Sequence, residues 1–512
     1  MRRLISVLLL LTLMLSLFAC DVSKPQNVLE TSPLETTENQ PTTPEETTPE
    51  ETTPEETTPE ETTPVETTTG DISLEQPPEE EKKIKIVFYH TMGESQRNIL
   101  NKYIVEFNKL YPDIVIEHKQ VGYYDDVLDQ IMTEIIVGDQ PNIAYCYPDH
   151  VALYNIAQAV QTLDEYINST EVVTRADGTT EVLGLTEKQI DNFIDGYYNE
   201  GKVYGDGKMY TLPMSKSTEV LYYNKTFFEK NNLSVPTTWD ELEEVCKQIK
   251  AIDPKSIPLG YDSEANWFIT MCEQLDSPYT SATGEHFLFD NEANRGFVVR
   301  LREWYQKGYV TTQEISGGYT SALFTKDPSE KGNCYMCIGS SAGANHQIPK
   351  NDDGTFKFEV GIATIPQVDI SNPKVSFQGP SLCIFKKFNP EEVKASWLFV
   401  KFLTTNLDFQ AEFSLATGYM PVSKAVVDHP VFQDCLSTAN GYDGLPMLAM
   451  RVAFEQADAF FAPPAFIGCA IAQEEVEALL RFCLTAPICA TADGIQHAFE
   501  QAIRECNHQA GY

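Results

Sequence analysis

The chain has 512 residues, 42% of them hydrophobic and 11% aromatic, and carries 75 acidic against 37 basic side chains for a formal net charge of −38. That deficit of positive charge excludes a nucleic-acid-binding surface, which needs a basic face, and disfavours adsorption to anionic lipid headgroups. The apolar fraction supports a sizeable core, and the length behind the first 82 residues exceeds what one core usually fills, so two lobes are expected.

Arg2 and Arg3 precede an apolar run over residues 4–18 that ends at Leu17, Phe18, Ala19 and Cys20. A basic start, a short greasy core and a small residue before the cut read as a secretory signal. The run is too short to span a bilayer comfortably. The LFAC tetrad resembles a bacterial lipobox, which implies that residues 1–20 are a lipoprotein signal peptide and that Cys20 is the lipidation site. Residues 21–82 form a tether in which TPEET repeats four times from Thr43 before degenerating at Thr63. Such a segment buries too little apolar surface to offset chain entropy and is expected to be disordered. As a coil its ends lie roughly 45 Å apart, and fully extended it reaches about 190 Å. Residues 1–83 carry 18 acidic and 5 basic side chains, so most of the negative charge remains with the domain behind them.

A strand is expected over 84–89, then a helix through Leu110 with Leu100, Tyr103, Ile104 and Phe107 at helical spacing. A second strand over 114–116, an amphipathic helix ending near Gly138 and a third strand over 143–147 follow. This order predicts a parallel sheet covered on both faces, with ligands beyond the carboxyl ends of its strands, near His90 and Pro148. A strand over 220–223 and a helix opened by a capping box of Thr238 and Glu241 continue the alternation. A long helix is expected over about 391–415, and a helical pair from about Ala470. Eleven cysteines follow Cys20. Cys334 and Cys337 read as thiols of a buried strand, and with no second pair at zinc spacing no metal site is expected. Cys483 and Cys489 are spaced to close a short disulfide loop, which the sequence alone does not establish.

Seven segments in order resemble the bacterial extracellular solute-binding proteins of family 1, the receptor subunits of ABC importers. They are MYTLP at 209–213 with EVLYYNK at 219–225, VPTTWDEL at 235–242, CIGSS at 337–341, VGIATIP at 360–366, FQGPSL at 377–382, ASWLFVKFL at 395–403 and TGYMPV at 417–422. The resemblance implies an α/β, two-lobed, periplasmic-binding-protein-like fold of type II with a hinge. It places lobe 1 at about 83–212 and 376–418 and lobe 2 at about 219–370 and 422–512, with crossings near 213–219, 370–377 and 418–422. Within the family, His90-Thr-Met resembles the opening of the glycerol-3-phosphate receptors. Carried over by position, that branch implies a ligand site of Tyr124, Asp149, Ser217, Trp267, Ser340 or Ser341, Gly379 and Tyr419. The basic contact that the branch places late in the chain is missing, with Phe466 standing in the stretch PAFIG at 464–468. A neutral sugar or polyol is therefore expected ahead of glycerol 3-phosphate or its diesters.

The residue types fit that chemistry. Sugars present apolar C–H faces to aromatic rings and hydroxyls to amides, hydroxyls and carboxylates. Trp267, Tyr124 and Tyr419 are of the stacking type, and Asp149 can accept two hydroxyls. No nucleophile elbow, P-loop or zinc-protease motif is present, so no catalytic residue, cofactor or metal is expected. The reading is a monomeric, lipid-anchored receptor on the outer face of the cell membrane whose partners are a small sugar or polyol and the permease subunits. A cell-surface carbohydrate-active enzyme and an adhesin are the competing classes.

Overall fold

The computed structural model describes residues 83–439 and 444–512. Cys20 and the tether lie outside the described residues. The first strand, Ile84–His90, forms because Ile86 and Phe88 alternate into the core, fully buried, while Lys85 points to solvent. It pairs in parallel with Ile114–Gln120 from Ile84 against Ile114 to His90 against Gln120, and with Ile143–Cys146 on its other side. The crossover helices Glu94–Leu110 and Tyr124–Val137 cover this sheet, the first through Leu100, Tyr103, Ile104 and Phe107 and the second through Val127 and Ile131. Two further strands complete it: Ser381–Ile384, antiparallel to Ile143–Cys146, and beyond it Thr211–Pro213, antiparallel to Ser381–Ile384.

The second sheet is built around Ser217–Asn224, the longest strand among the described residues. Its neighbours are Met336–Ser340 on one side and Val375–Gln378 with Val360–Ala363 on the other, all antiparallel to it. Leu259–Tyr261 and Val310–Thr312 extend the sheet in parallel, and Phe460–Phe461 closes the opposite edge. The helix Trp239–Ile252 starts at the expected capping box, where the Glu241 N–H donates to Thr238 Oγ1 at 3.2 Å. The C-terminal pair Cys469–Thr485 and Ala492–Ala510 packs on the helices Glu264–Gln274 and Glu292–Gln306.

Two expectations change. The helix foreseen over 391–415 is two helices, Pro390–Thr405 and Leu407–Thr417. Asn406 between them takes an extended conformation, and its Oδ1 accepts the Phe409 N–H at 2.9 Å, so one residue ends one helix and caps the next. The second passage between sheets falls at Gly379 and Pro380, because Val375–Gln378 belongs to the second sheet. The boundary at residue 376 and the crossing over 370–377 therefore move to 379–380.

The three passages lie side by side. Met214, Ser215 and Lys216 lead from the first sheet to the second, Gly379 and Pro380 lead back, and the segment at Met420 bridges to Lys216 through paired backbone hydrogen bonds. Gly379 sits at φ +135°, and a Cβ there would meet the Ser215 carbonyl oxygen at 2.4 Å, so only glycine fits this approach. Lys216 is fully buried at this point. Its Nζ bonds the Glu200 carboxylate, the Gly379 carbonyl at 2.7 Å and Ser381 Oγ at 3.0 Å. Removing one partner of a buried pair strands the other charge, which costs about 3–5 kcal/mol. Lys216→Met is expected to lower the unfolding free energy by about that amount in denaturant titration, and Glu200→Gln added to it is expected to recover a substantial part.

Candidate functional site

The strand ends and the passages between sheets enclose two adjoining cavities of 580 Å³ and 400 Å³. Asn266, Ser376, Phe377, Gln378 and Gln473 line both, so the two are one continuous cleft. Walls come from both sheets. Ser217, Thr218 and Glu219 follow Lys216 on the central strand, Ser376 to Gln378 precede Gly379, and Thr417 and Tyr419 flank the third passage. From the first sheet come Tyr124, at the start of its crossover helix, and Tyr147 to His150, just past the carboxyl end of Ile143–Cys146.

Five of the expected site residues line this cleft. Ser217, Ser340 and Tyr419 border the larger cavity and Tyr124 and Asp149 the smaller one. The Tyr124 and Tyr147 rings pack with centroids 4.6 Å apart, and burial pushes the Tyr124 phenol up to about 12. Ser340 accepts the Ala342 N–H at 3.2 Å and so caps the turn that follows its strand.

Trp267, Ser341 and Gly379 are corrected. The Trp267 ring has no exposed surface; it stacks on Tyr261 at 4.6 Å and lies 6.0 Å from Trp239, behind the wall. Its helix, Glu264–Gln274, is buried on nearly every side, so the large ring turns inward and the polar neighbour Asn266 faces the cleft. Ser341 is buried and accepts the Thr218 N–H at 3.2 Å, which fastens the turn to the central strand. Gly379 serves the passage between sheets. His90, at the end of the first strand, is buried against His118 at 2.8 Å, and burial with its His118 and Arg97 neighbours lowers it to about 3.

Glu219 and Asp262 went unread in the sequence. Glu219 is 5% exposed and lines the larger cavity, where Tyr261 donates to its Oε2 at 2.6 Å and Asn266 and Ser376 add weaker bonds. Burial, with the Asp262 charge, raises its carboxyl to about 7. Asp262 accepts the Thr320 N–H and its hydroxyl at 2.7 Å, and burial moves its carboxyl upward too. Gly339 permits its approach, since a Cβ there would meet Asp262 Oδ2 at 2.7 Å. The signal for Glu219 was period two: once Ser217 is placed on the cleft, Glu219 shares its face. No Lys or Arg lines either cavity. Phe466 does not reach the cleft; it stacks on His286 at 4.8 Å. Among the described residues no group of three or more His, Cys, Asp or Glu could hold a metal ion, and the eleven described cysteines are free thiols, Cys483 and Cys489 included.

Two sheet-based lobes joined by three strands of chain, with a polar and aromatic cleft between them, define a two-lobed ligand-binding protein. The chain belongs to the bacterial extracellular solute-binding protein family, which its residues 102–436 match. The sn-glycerol-3-phosphate-binding periplasmic protein UgpB of Escherichia coli strain K12 is 26% identical over 357 residues, 67% of this chain and 75% of that protein. The sugar-binding protein MalE of Xanthomonas citri superposes with a TM-score of 0.65 at 16% identity, over 83% of this chain and 98% of its own. An ABC substrate-binding protein of Listeria monocytogenes in complex with cycloalternan gives 0.60 at 18% identity, over 84% and 100%. No helix among the described residues is long and apolar enough to cross a membrane.

Two outcomes follow from these placements. Trp267→Ala is expected to destabilise the fold by about 3–5 kcal/mol in denaturant unfolding, whereas Asn266→Ala stays within about 1 kcal/mol of wild type. Glu219, with a folded pKa of about 7 against its ordinary 4.5, keeps a proton in the folded state that the unfolded chain has already released. Stability of the unliganded protein therefore falls as pH rises through that window. Glu219→Gln is expected to remove this component from a melting-temperature profile against pH.

Proposed function

We propose that this protein is the lipid-anchored, extracellular substrate-binding subunit of an ABC importer, and that it captures a sugar or related polyol in the cleft and delivers it to the permease. The observation that carries this reading is the lining of the cleft. Hydroxyls of Ser217, Ser321 and Ser340, amides of Asn266, Gln378 and Gln473, and the rings of Tyr124 and Tyr419 meet from both lobes without a single Lys or Arg. Hydroxyls and amides match a polyhydroxylated ligand, and the rings match its C–H faces. A phosphate would enter beside Glu219, Asp262 and Asp149 with no cation to receive it.

Lobe 1 in this reading is about 83–213 with 381–417, and lobe 2 about 217–378 with 421–512. Because the lining residues adjoin the passages, a ligand that touches both walls favours the closed arrangement by its differential affinity. The chain acts as a monomer, binds reversibly and leaves its ligand unaltered. Cys20 supplies the anchor, and residues 21–82 supply the slack that lets the domain reach both solute and permease.

A thermal-shift panel of sugars, sugar oligomers, polyols, glycerol 3-phosphate and glycerophosphodiesters tests the reading, since a ligand stabilises by mass action. A neutral saccharide is expected to raise the melting temperature, to lower the radius of gyration in solution scattering and to be recovered unchanged by chromatography. Tyr419→Ala is expected to weaken its binding by about 1–3 kcal/mol in calorimetry. Stabilisation by phosphorylated members alone would favour the glycerol 3-phosphate reading that the curated relatives' name carries, and release of a cleaved product would favour the enzyme.

A further inference from the structure

Glu219 is a carboxyl on the cleft floor for which the protein provides every neutral partner and no positive one. Tyr261 from two strands away in the same sheet, Asn266 from the helix Glu264–Gln274 and Ser376 from the strand Val375–Gln378 donate to it, and Gln456 Nε2 bonds its backbone carbonyl at 2.6 Å. These donors fill at most three of the about four acceptor positions of a carboxylate, and the group borders open cavity. The charge of Asp262, of the same sign, acts on it and raises its pKa further. Elsewhere in the cleft, Glu200 shows how this chain handles a buried carboxylate when it needs one compensated: Lys216 is seated on it with no exposed surface. The remaining lining charges, Asp125, Asp149, Glu474 and Glu477, are acidic as well, and the larger cavity's imidazole, His346, stands exposed at its edge.

A buried carboxylate beside a like charge is unfavourable unless a proton or a cation joins it. Further hydroxyls from a neutral sugar would add to donors already present, whereas a cation supplies what is absent. We propose that the cleft selects saccharides bearing a protonated amino group and that Glu219 pairs with that ammonium as the specificity-determining residue. This rests on the sugar reading of the cleft and names the class within it. Pairing needs Glu219 ionised and the amine protonated, so amino-sugar affinity rises as pH climbs through the range where Glu219 loses its proton, near 7, and falls again where the amine loses its own.

The test is calorimetry and thermal shift on the purified protein with matched triplets: a sugar, its amino derivative and the N-acetylated form, which keeps the bulk and removes the charge. D-glucose with D-glucosamine and N-acetyl-D-glucosamine is one triplet, and cellobiose with chitobiose, the glucosamine disaccharide, and N,N′-diacetylchitobiose another. At about pH 7.5 the amino member is expected to bind roughly tenfold or more tightly than both partners, and at about pH 5 that preference is expected to collapse. Glu219→Gln, which is isosteric, is expected to abolish the preference at both pH values while circular dichroism shows an intact fold. A neutral member that binds as tightly as its amino counterpart in the wild-type protein overturns this proposal and leaves the sugar reading standing. An amino preference that survives in Glu219→Gln overturns the role of Glu219. Absence of binding by every saccharide, charged or neutral, overturns the sugar reading and this inference together.

Discussion

The arrangement of this molecule hangs on a buried ammonium. Lys216 lies where the chain first leaves one sheet for the other, and its three bonds reach a helix of the first lobe through Glu200, the returning passage through the Gly379 carbonyl, and the strand that follows it through Ser381. A lysine with no water around it is tolerable only because those acceptors surround it, so the passages are held in register by the penalty of separating them. The third passage joins by backbone alone, at Met420. The three crossings between the sheets are thereby tied at one point.

That placement also explains where the cleft gets its residues. A group of the side chains bordering the larger cavity lies one to three positions from the tied crossing: Ser217 to Glu219 after Lys216, Ser376 to Gln378 before Gly379, and Thr417 and Tyr419 around Gly418. On the proposed reading, a ligand held by them touches the segments that join the two sheets, so binding would be linked to closure by adjacency in sequence.

Local patterns were legible where a single element decided the outcome. The alternating strands, the Thr238 to Glu241 capping box and the helix faces of Leu100 to Phe107 follow from spacing, because each is fixed by its own segment's solvent exposure. What failed was choosing between neighbours. Trp267 and Asn266 differ by one position on a helix enclosed on nearly all sides, and Ser340 and Ser341 by one position at a strand end. Which of each pair meets the cleft depends on packing from distant segments. Glu219 escaped notice because a glutamate in an apolar strand looks like an exposed edge until the sheet covering it is known. Asn406 was passed over because an asparagine inside a helical pattern is a weak break unless its side chain is seen to cap.

Charge acts on the same choice at two distances. The chain as a whole carries a net charge of −38, a field that raises the local concentration of cations and lowers that of anions over roughly a Debye length. Inside, Glu219 and Asp262 offer their acceptors with no lysine or arginine beside them. For a phosphate both distances oppose capture. For a neutral sugar the outer field is indifferent, and the inner carboxyls already hold neutral donors. For an ammonium both distances favour capture, the outer field through encounter and the inner pair through retention, and only that ligand uses the unbalanced charge the fold has set on the cleft floor.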